Sequence, residues 1–371
     1  MIVLKAPQSK VLGALQAVCG IVERRHTLPV LANVLIRKSG PSIALTTSDL
    51  DIEVGHQVEL GGDAGEFATT VSARKLIDIL KAMPPDQLVT LTAEPGRLRL
   101  QGGRSRFTLH TLPAEQFPLV ARAPHATTLR LPQGVLKSLV DQVSFAMAAH
   151  DIRYFLNGVL FNTDGRLVRL VATDGNRLAL AEATVDAELP AQQVILPRKA
   201  VHELQRHLLD DKGDGSAGVE IRLAPAQASF ELNGISFITK LIEGRYPDFN
   251  RAIPKANPHA VTLGRAALLE CLQRASLMTS DKFRGIRLSL APGALRIVSS
   301  NAEREEADED IDVDYGGTPI EIGFNVTYLT EVLGETDAEM VTMALQDAAS
   351  AVLFTFPERS DFKYVVSPMR L

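Results

Sequence analysis

The stretch VLFNTDGRLVRLVATD, residues 159–174, decides the fold. Apolar and polar residues alternate on either side of Thr163-Asp164-Gly165, which is the sequence form of a β-hairpin, and the second strand runs into Ala172, Thr173 and Asp174. Two other stretches follow the same plan, VLIRKSGPSIALTTSD (34–49) and IRLSLAPGALRIVSSN (286–301). In each, an acid or amide (Asp49, Asp174, Asn301) stands fifteen residues after the first apolar residue. A hairpin that recurs with its terminal residue in register is a structural repeat, and repeats are to be sought before any other feature.

Working outward, each hairpin is followed by a strand that runs into a short helix: TTVSARKLIDIL (69–80), QVILPRKAVHEL (193–204) and IEIGFNVTYLTEVL (320–333). Lys75, Lys199 and Thr327 take equivalent places, 41, 40 and 41 residues after Val34, Val159 and Ile286. Before each hairpin lies an amphipathic helix: 9–22, 133–147 and 265–278. In the first, Val11, Leu12, Leu15, Val18 and Val22 recur at the spacing that buries one helical face. The connectors PHATTL (124–129) and PHAVTL (258–263) open the second and third units. The pattern predicts an α+β chain of three tandem domains, 1–125, 126–257 and 258–371, with antiparallel sheets.

Composition fits this reading. Of 371 residues, 46% are hydrophobic and 22% charged, ordinary for a globular chain. No run approaches the ~18 apolar residues of a membrane span, and MIVLKAPQSK lacks a signal-peptide pattern, so the chain reads as cytosolic. Cys19 and Cys271 fall in helical patterns and indicate core residues rather than a disulfide or metal site. A net charge of −5 opposes general coating of nucleic acid but permits a basic face.

Several apparent motifs fail on physical grounds. GDGSAG (213–218) matches the dinucleotide fingerprint, yet a helix enters it and a strand leaves, the reverse of what a pyrophosphate site needs. HELQRH (202–207) spaces its histidines about 140° apart around a helix, too far to share one ion, and they read as polar-face residues. DDKGDG (210–215) places Lys212 at a calcium-ligand position. An enzyme acting on nucleic acid through metals at Asp49, Asp51 and Asp174 is the competing functional reading. Against it, equivalent acids in separate repeats do not converge as catalysis requires, and one copy is Asn301. A turn-capping role serves all three copies.

The repeats, together with LPVLANVLI (28–36), ATTVSARKL (68–76), GRSRFTLHTLP (103–113), DIRYFLNGVLF (151–161), VATDGNRLAL (171–180), LPRKAVHEL (196–204), GRYPDF (244–249), KFRGIRL (282–288), IGFNVTYL (322–329) and VVSPMRL (365–371), closely resemble the sliding clamps of bacteria, the β subunits of DNA polymerase III. The resemblance covers the whole chain in order. It implies a non-catalytic processivity factor without cofactor or metal: a head-to-tail homodimer whose six domains form a ring, sheets outside and two helices per domain lining a hole for duplex DNA.

Sequence-independent binding then rests on phosphate contacts. The resemblance puts Arg74, Lys75, Lys137, Arg198 and Lys199 on lining helices and Arg25 and His150 on DNA-touching loops; Lys10, Arg24, Lys81, Arg206, Arg265 and Arg274 add cations to the same helices. Closure is expected to join Lys75, Arg104, Arg106, Phe107 and Leu109 of the first domain to Leu277, Met278, Glu303, Glu305 and Glu306 of the third. There EREEADED (303–310) supplies the opposite charge.

The family's cleft for partner peptides maps onto Leu156, Thr173, Gly175, Asn176, Arg177, Leu178, Pro247, Asn325, Tyr328, Val365, Val366, Pro368, Met369 and Arg370. Expected users are the polymerase α subunit, the clamp loader, repair polymerases, ligase and mismatch-repair proteins. Asn176 and Ser367 stand where the family commonly has His and Met, and Ala252 where a larger aliphatic is frequent, which implies a more open and polar cleft.

Overall fold

The computed structural model describes residues 1–23, 28–124, 127–209, 218–280 and 284–370. The first repeat runs β1 (Ile2–Pro7), α1 (Gln8–Val18), β2 (Asn33–Ser39), β3 (Ser42–Ser48), β4 (Ile52–Glu59), β5 (Glu66–Ser72), α2 (Ala73–Lys81), β6 (Leu88–Glu94), β7 (Arg97–Gly102) and β8 (Ser105–Leu112). The second runs β9 (Thr127–Pro132), α3 (Gln133–Ser144), β10 (Gly158–Thr173), β11 (Arg177–Pro197), α4 (Arg198–His207), β12 (Gly218–Ala224), β13 (Gln227–Leu232) and β14 (Ile235–Lys240). The third runs β15 (His259–Gly264), α5 (Arg265–Ser276), β16 (Gly285–Ala291), β17 (Ala294–Ser300), β18 (Glu306–Asp312), β19 (Ile320–Asn325), α6 (Val326–Gly334), β20 (Met340–Leu345), β21 (Val352–Phe356) and β22 (Arg359–Val366).

The three hairpins form as the alternation predicts, β2 with β3 and β16 with β17 as separate strands. The middle copy differs in form. β10 is continuous, but its register against β11 breaks around Gly165, so that 158–163 pair with 192–197 and 167–173 with 178–184. Arg169 Nη1 nevertheless donates to Asn162 Oδ1 at 3.4 Å. In an extended strand these two residues would stand about 23 Å apart, so the chain folds back at Gly165, where φ is +60°.

Contacts divide the chain into two compact units, residues 1–136 with 202–241 and residues 137–201 with 242–371. Neither unit is a repeat. The first holds a twelve-stranded sheet in the order β1-β6-β7-β8-β5-β2-β3-β4-β14-β13-β12-β9. The second holds a six-stranded sheet, β10-β11-β22-β21-β20-β15, and a four-stranded one, β18-β17-β16-β19. Sheets therefore run across the repeat junctions: β4 pairs with β14 of the next repeat, and β11 with β22. The two seams match in detail, with Lys240 N donating to Asp51 O at 2.8 Å in one and Ser367 N to Asn176 O at 2.7 Å in the other.

Of the stripe that the spacing marks, α1 buries Val11, Leu15 and Val18, with Ala14 beside them, whereas Leu12 is half-buried and Val22, though buried, lies beyond the helix, which ends at Val18; α5 buries Leu268, Cys271, Leu272 and Ala275. Cys271 is buried and Cys19 half-buried. Burial, reinforced by the Glu203 carboxylate and opposed by Arg206, pushes the Cys19 thiol up to about 12. One expectation is corrected here. His207 does not lie on a polar face; it is buried with its Nε2 3.4 Å from Glu203 Oε1, while His202 is exposed. Residues 210–217, which hold the calcium-like DDKGDG and most of GDGSAG, lie outside the described residues.

Candidate functional site

The repeated acid or amide is a turn cap in all three copies. Asp49 Oδ1 accepts from Asp51 N and Ile52 N at 3.0 and 2.7 Å. Asp174 Oδ1 accepts from Asn176 N and Arg177 N at 2.9 and 3.1 Å, and Asn301 Oδ1 from Glu305 N at 2.9 Å. Short polar side chains close turns in this way, which an amide does as well as a carboxylate. Asp51 meets Lys240 at 3.0 Å. Among the described residues no cluster of three or more His, Cys, Asp or Glu could hold a metal ion.

What distinguishes the second copy is what the turn carries. Gly175 has φ +93°, and a Cβ there would lie 2.8 Å from the Arg153 guanidinium, so glycine alone allows both the backbone and the contact. Arg153 donates to the Asp174 carbonyl at 3.1 Å and pairs with Asp151 at 2.8 Å, which pulls the Asp151 carboxyl down to about 2. Arg177 is 9% exposed. Its Nε donates to Asp174 Oδ2 at 3.1 Å, its Nη2 to the Phe145 carbonyl at 2.7 Å and its Nη1 to Glu331 on α6. The guanidinium lies 4.5 Å from the centre of the Tyr328 ring and 5.5 Å from that of Phe145.

Below this polar rim, Leu156, Leu178 and Val365 belong to one apolar cluster with Leu160, Val171, Tyr246 and Phe249. The Tyr246 oxygen accepts from Thr173 N at 3.1 Å, and burial raises the phenol's pKa. Asn325 caps α6, its side chain accepting from Thr327 N at 3.0 Å. The tail returns alongside: Met369 N donates to the Gly323 carbonyl at 2.9 Å. Gly175, Asn176, Pro247 and Arg370 are exposed, Tyr328, Pro368 and Met369 partly so, and Val366 is fully buried between β11 and β21. Thr173, Leu156 and the tail thus gather in one unit, as a hydrophobic floor with exposed polar edges, a form suited to a short peptide. Arg153 and Glu331, which the sequence reading did not single out, join the candidate site through their contacts with the Asp174 carbonyl and Arg177.

The two strands expected to close a dimer each present an open edge. β5 takes only Thr111 and Leu112 of β8, so Ser105–His110 have β7 on one side and, among the described residues, no strand on the other. Arg104 and Arg106 are exposed, Phe107 is 37% exposed and Leu109 is buried at 8%. β18 ends its sheet and alternates exposed acids with half-buried residues. Glu303, Glu305 and Glu306 are exposed, Leu277 is 75% exposed and Met278 is half-buried.

The expected DNA contacts divide. Arg74, Lys75, Lys199 and His150 are exposed, the last in the left-handed region at φ +59°. Lys137 is tied to Asp141 at 2.6 Å, and Arg198 donates to the Met147 and Ala148 carbonyls at 2.9 and 3.3 Å. Arg24 and Arg25 lie outside the described residues.

The chain matches three sequence families in succession: the DNA polymerase III β subunit N-terminal domain over residues 4–121, its central domain over 130–248 and its C-terminal domain over 250–370. It is 44% identical over 358 residues to the β sliding clamp of Pseudomonas putida, covering 96% of each chain. The crystal structure of the Pseudomonas aeruginosa sliding clamp bound to griselimycin aligns with a TM-score of 0.94 at 41% identity, covering 99% of both chains. That of the DNA polymerase III β subunit from the same organism aligns at 0.93, with 41% identity and 100% of both chains covered. Three clamp domains in one chain, matched end to end in sequence and fold, place the protein in the β-subunit family of bacterial DNA polymerase III.

Proposed function

We propose that this protein is a DNA sliding clamp: a cytoplasmic, non-catalytic ring that encircles duplex DNA and tethers the replicative polymerase to it. Two chains join head to tail, β8 of one beside β18 of the other. Arg104 and Arg106 face Glu303, Glu305 and Glu306 around Phe107, Leu109, Leu277 and Met278, with Lys75 at the margin. Three domains per chain, with boundaries near 125 and 257, carry the path through half a circle, so that this heterologous contact closes. The observation that carries the reading is the pair of open, oppositely charged strand edges in the first and third repeats of a chain built from three clamp domains.

The cluster around Leu156, Leu178 and Val365 serves as the peptide cleft, used in turn by the polymerase α subunit, the clamp loader, repair polymerases, ligase and mismatch-repair proteins. With Asn176, Ala252 and Ser367 in place of bulkier residues, it takes Leu- or Phe-bearing peptides into a wider, more polar mouth. Topology tests the function. After treatment with a clamp loader and ATP, the protein should co-elute with nicked circular duplex and fall off when the circle is cut open. Equal retention on both forms would sink the ring, and Mg²⁺-dependent cleavage by the isolated protein would favour the competing enzyme.

A further inference from the structure

The helices that the clamp reading assigns to the DNA differ sharply in how many of their cations are available. On α1 and α2, Lys10, Arg74, Lys75 and Lys81 are all exposed, and none has a hydrogen bond or ion pair among the described residues. A single acid, Asp78, accompanies them on these two helices.

Elsewhere most of the cations are engaged within the fold, and Lys199 on α4 is exposed. Lys137 on α3 pairs with Asp141, both side chains only 25% exposed. On α4, Arg206 pairs with Glu203 at 2.6 Å and Arg198 donates to two carbonyls. On α5, Arg265 donates to the Leu333 carbonyl at 2.7 Å and the Ala338 carbonyl at 2.6 Å, where it offsets the negative end of α6. Arg274 grips Glu309 through two bonds of 2.8 and 2.7 Å. α6 carries no cation, bears Glu331 and is followed by Glu335. Burial, then the Asp141 and Glu331 carboxylates, raise the Glu335 pKa.

We infer that the first repeat supplies most of the phosphate contacts, through the basic face of α1 and α2, while the helices of the second and third repeats, their cations mostly engaged, supply few. The inference rests on the clamp reading and refines it. A phosphate contact strengthens binding by releasing a condensed counterion, and a cation neutralised by a carboxylate, or with its donors turned inward to backbone carbonyls, is less available for one. A chain of net charge −5 repels DNA as a whole. Concentrating its free cations on one helix pair gives it a local footing on the duplex, and leaves the rest of the contact slippery.

The salt dependence of duplex binding separates the two cases, since each phosphate contact contributes about 0.9 to the slope of log K against log salt. Lys75 is left in place because of its expected part in the dimer. Lys10→Ala with Arg74→Ala and Lys81→Ala removes three cations from each of the two chains and should flatten the slope by roughly three to five units. Lys137→Ala with Lys199→Ala and Arg206→Ala should flatten it by less than about two units. Both triple variants are first checked as dimers by sedimentation, and the unmodified protein for retention on circular duplex. Retention with equal flattening by the two triples overturns this inference alone. Failure of the unmodified protein to stay on circles overturns the clamp reading and this inference with it.

Discussion

Arg177 has five N–H donors in a rigid fork, and four of its neighbours use them or the face of the guanidinium: Asp174, Phe145, Glu331 and the Tyr328 ring. The resemblance gives it a place in the peptide cleft, but at 9% exposure its reach is inward. It holds the Asp174–Asn176 turn against α6 and so would shape the wall of the proposed cleft. Arg177→Ala should cost about 3 kcal/mol, the low end for breaking a buried charge pair, because Glu331 stays 39% exposed. Urea unfolding of the two proteins measures it. Arg177→Lys should not recover the loss, since an ammonium cannot bridge two carboxylates and a carbonyl in one plane. A variant as stable as the parent would show that the turn is held by its own backbone bonds.

At the scale of elements, the hairpins, the helices before them and the strand–helix pairs after them were legible because each is coded locally. Alternation, a Gly or Pro turn and one short polar cap suffice, and Asp49, Asp174 and Asn301 perform the role that their repetition suggested. The cleft was legible only by resemblance. Arg177 and Glu331 are 154 residues apart, and no local pattern joins them. The sequence also shows a cation without its partner, which is why Arg198, Arg265 and Arg274 read as DNA contacts although carbonyls and Glu309 engage them. Close approach is equally hidden: a Cβ at Gly158, the first residue of β10, would lie 2.2 Å from the Leu196 carbonyl oxygen. That neighbour is backbone on the paired strand, which cannot turn aside. Gly158→Ala should therefore pry β10 from β11 and cost at least 2 to 3 kcal/mol, on the order of other overpacked sites. Thermal melting would reveal it, and an unchanged melting point would mean that the two strands part without penalty.

For the whole molecule, the proposed dimer closure is where side-chain charge should decide the outcome. Two of the acids on β18 already have partners, Asp308 with Arg296 and Glu309 with Arg274, and each partner lowers the acid's pKa. Glu303 and Glu306 are exposed, and Glu305, also exposed, accepts from Asn301 Nδ2 at 2.6 Å, so the proposed contact with a second chain has, among the described residues, no internal cation to displace at these three acids. Arg104→Glu with Arg106→Glu would set acid against acid, and sedimentation at micromolar concentration should then show monomers where the parent shows dimers. Dimers persisting in the variant would place the contact elsewhere. The seams inside each chain are of another kind, because β4–β14 and β11–β22 are backbone ladders. The repeat is thus the unit of sequence but not the unit that can stand alone. Cutting the chain near residue 125 would strip β14 from β4 and bare a row of unpaired amides and carbonyls, the kind of edge through which strands aggregate. Threefold repetition in this protein is therefore a property of its sequence, while the joined sheets make its copies inseparable in the folded product.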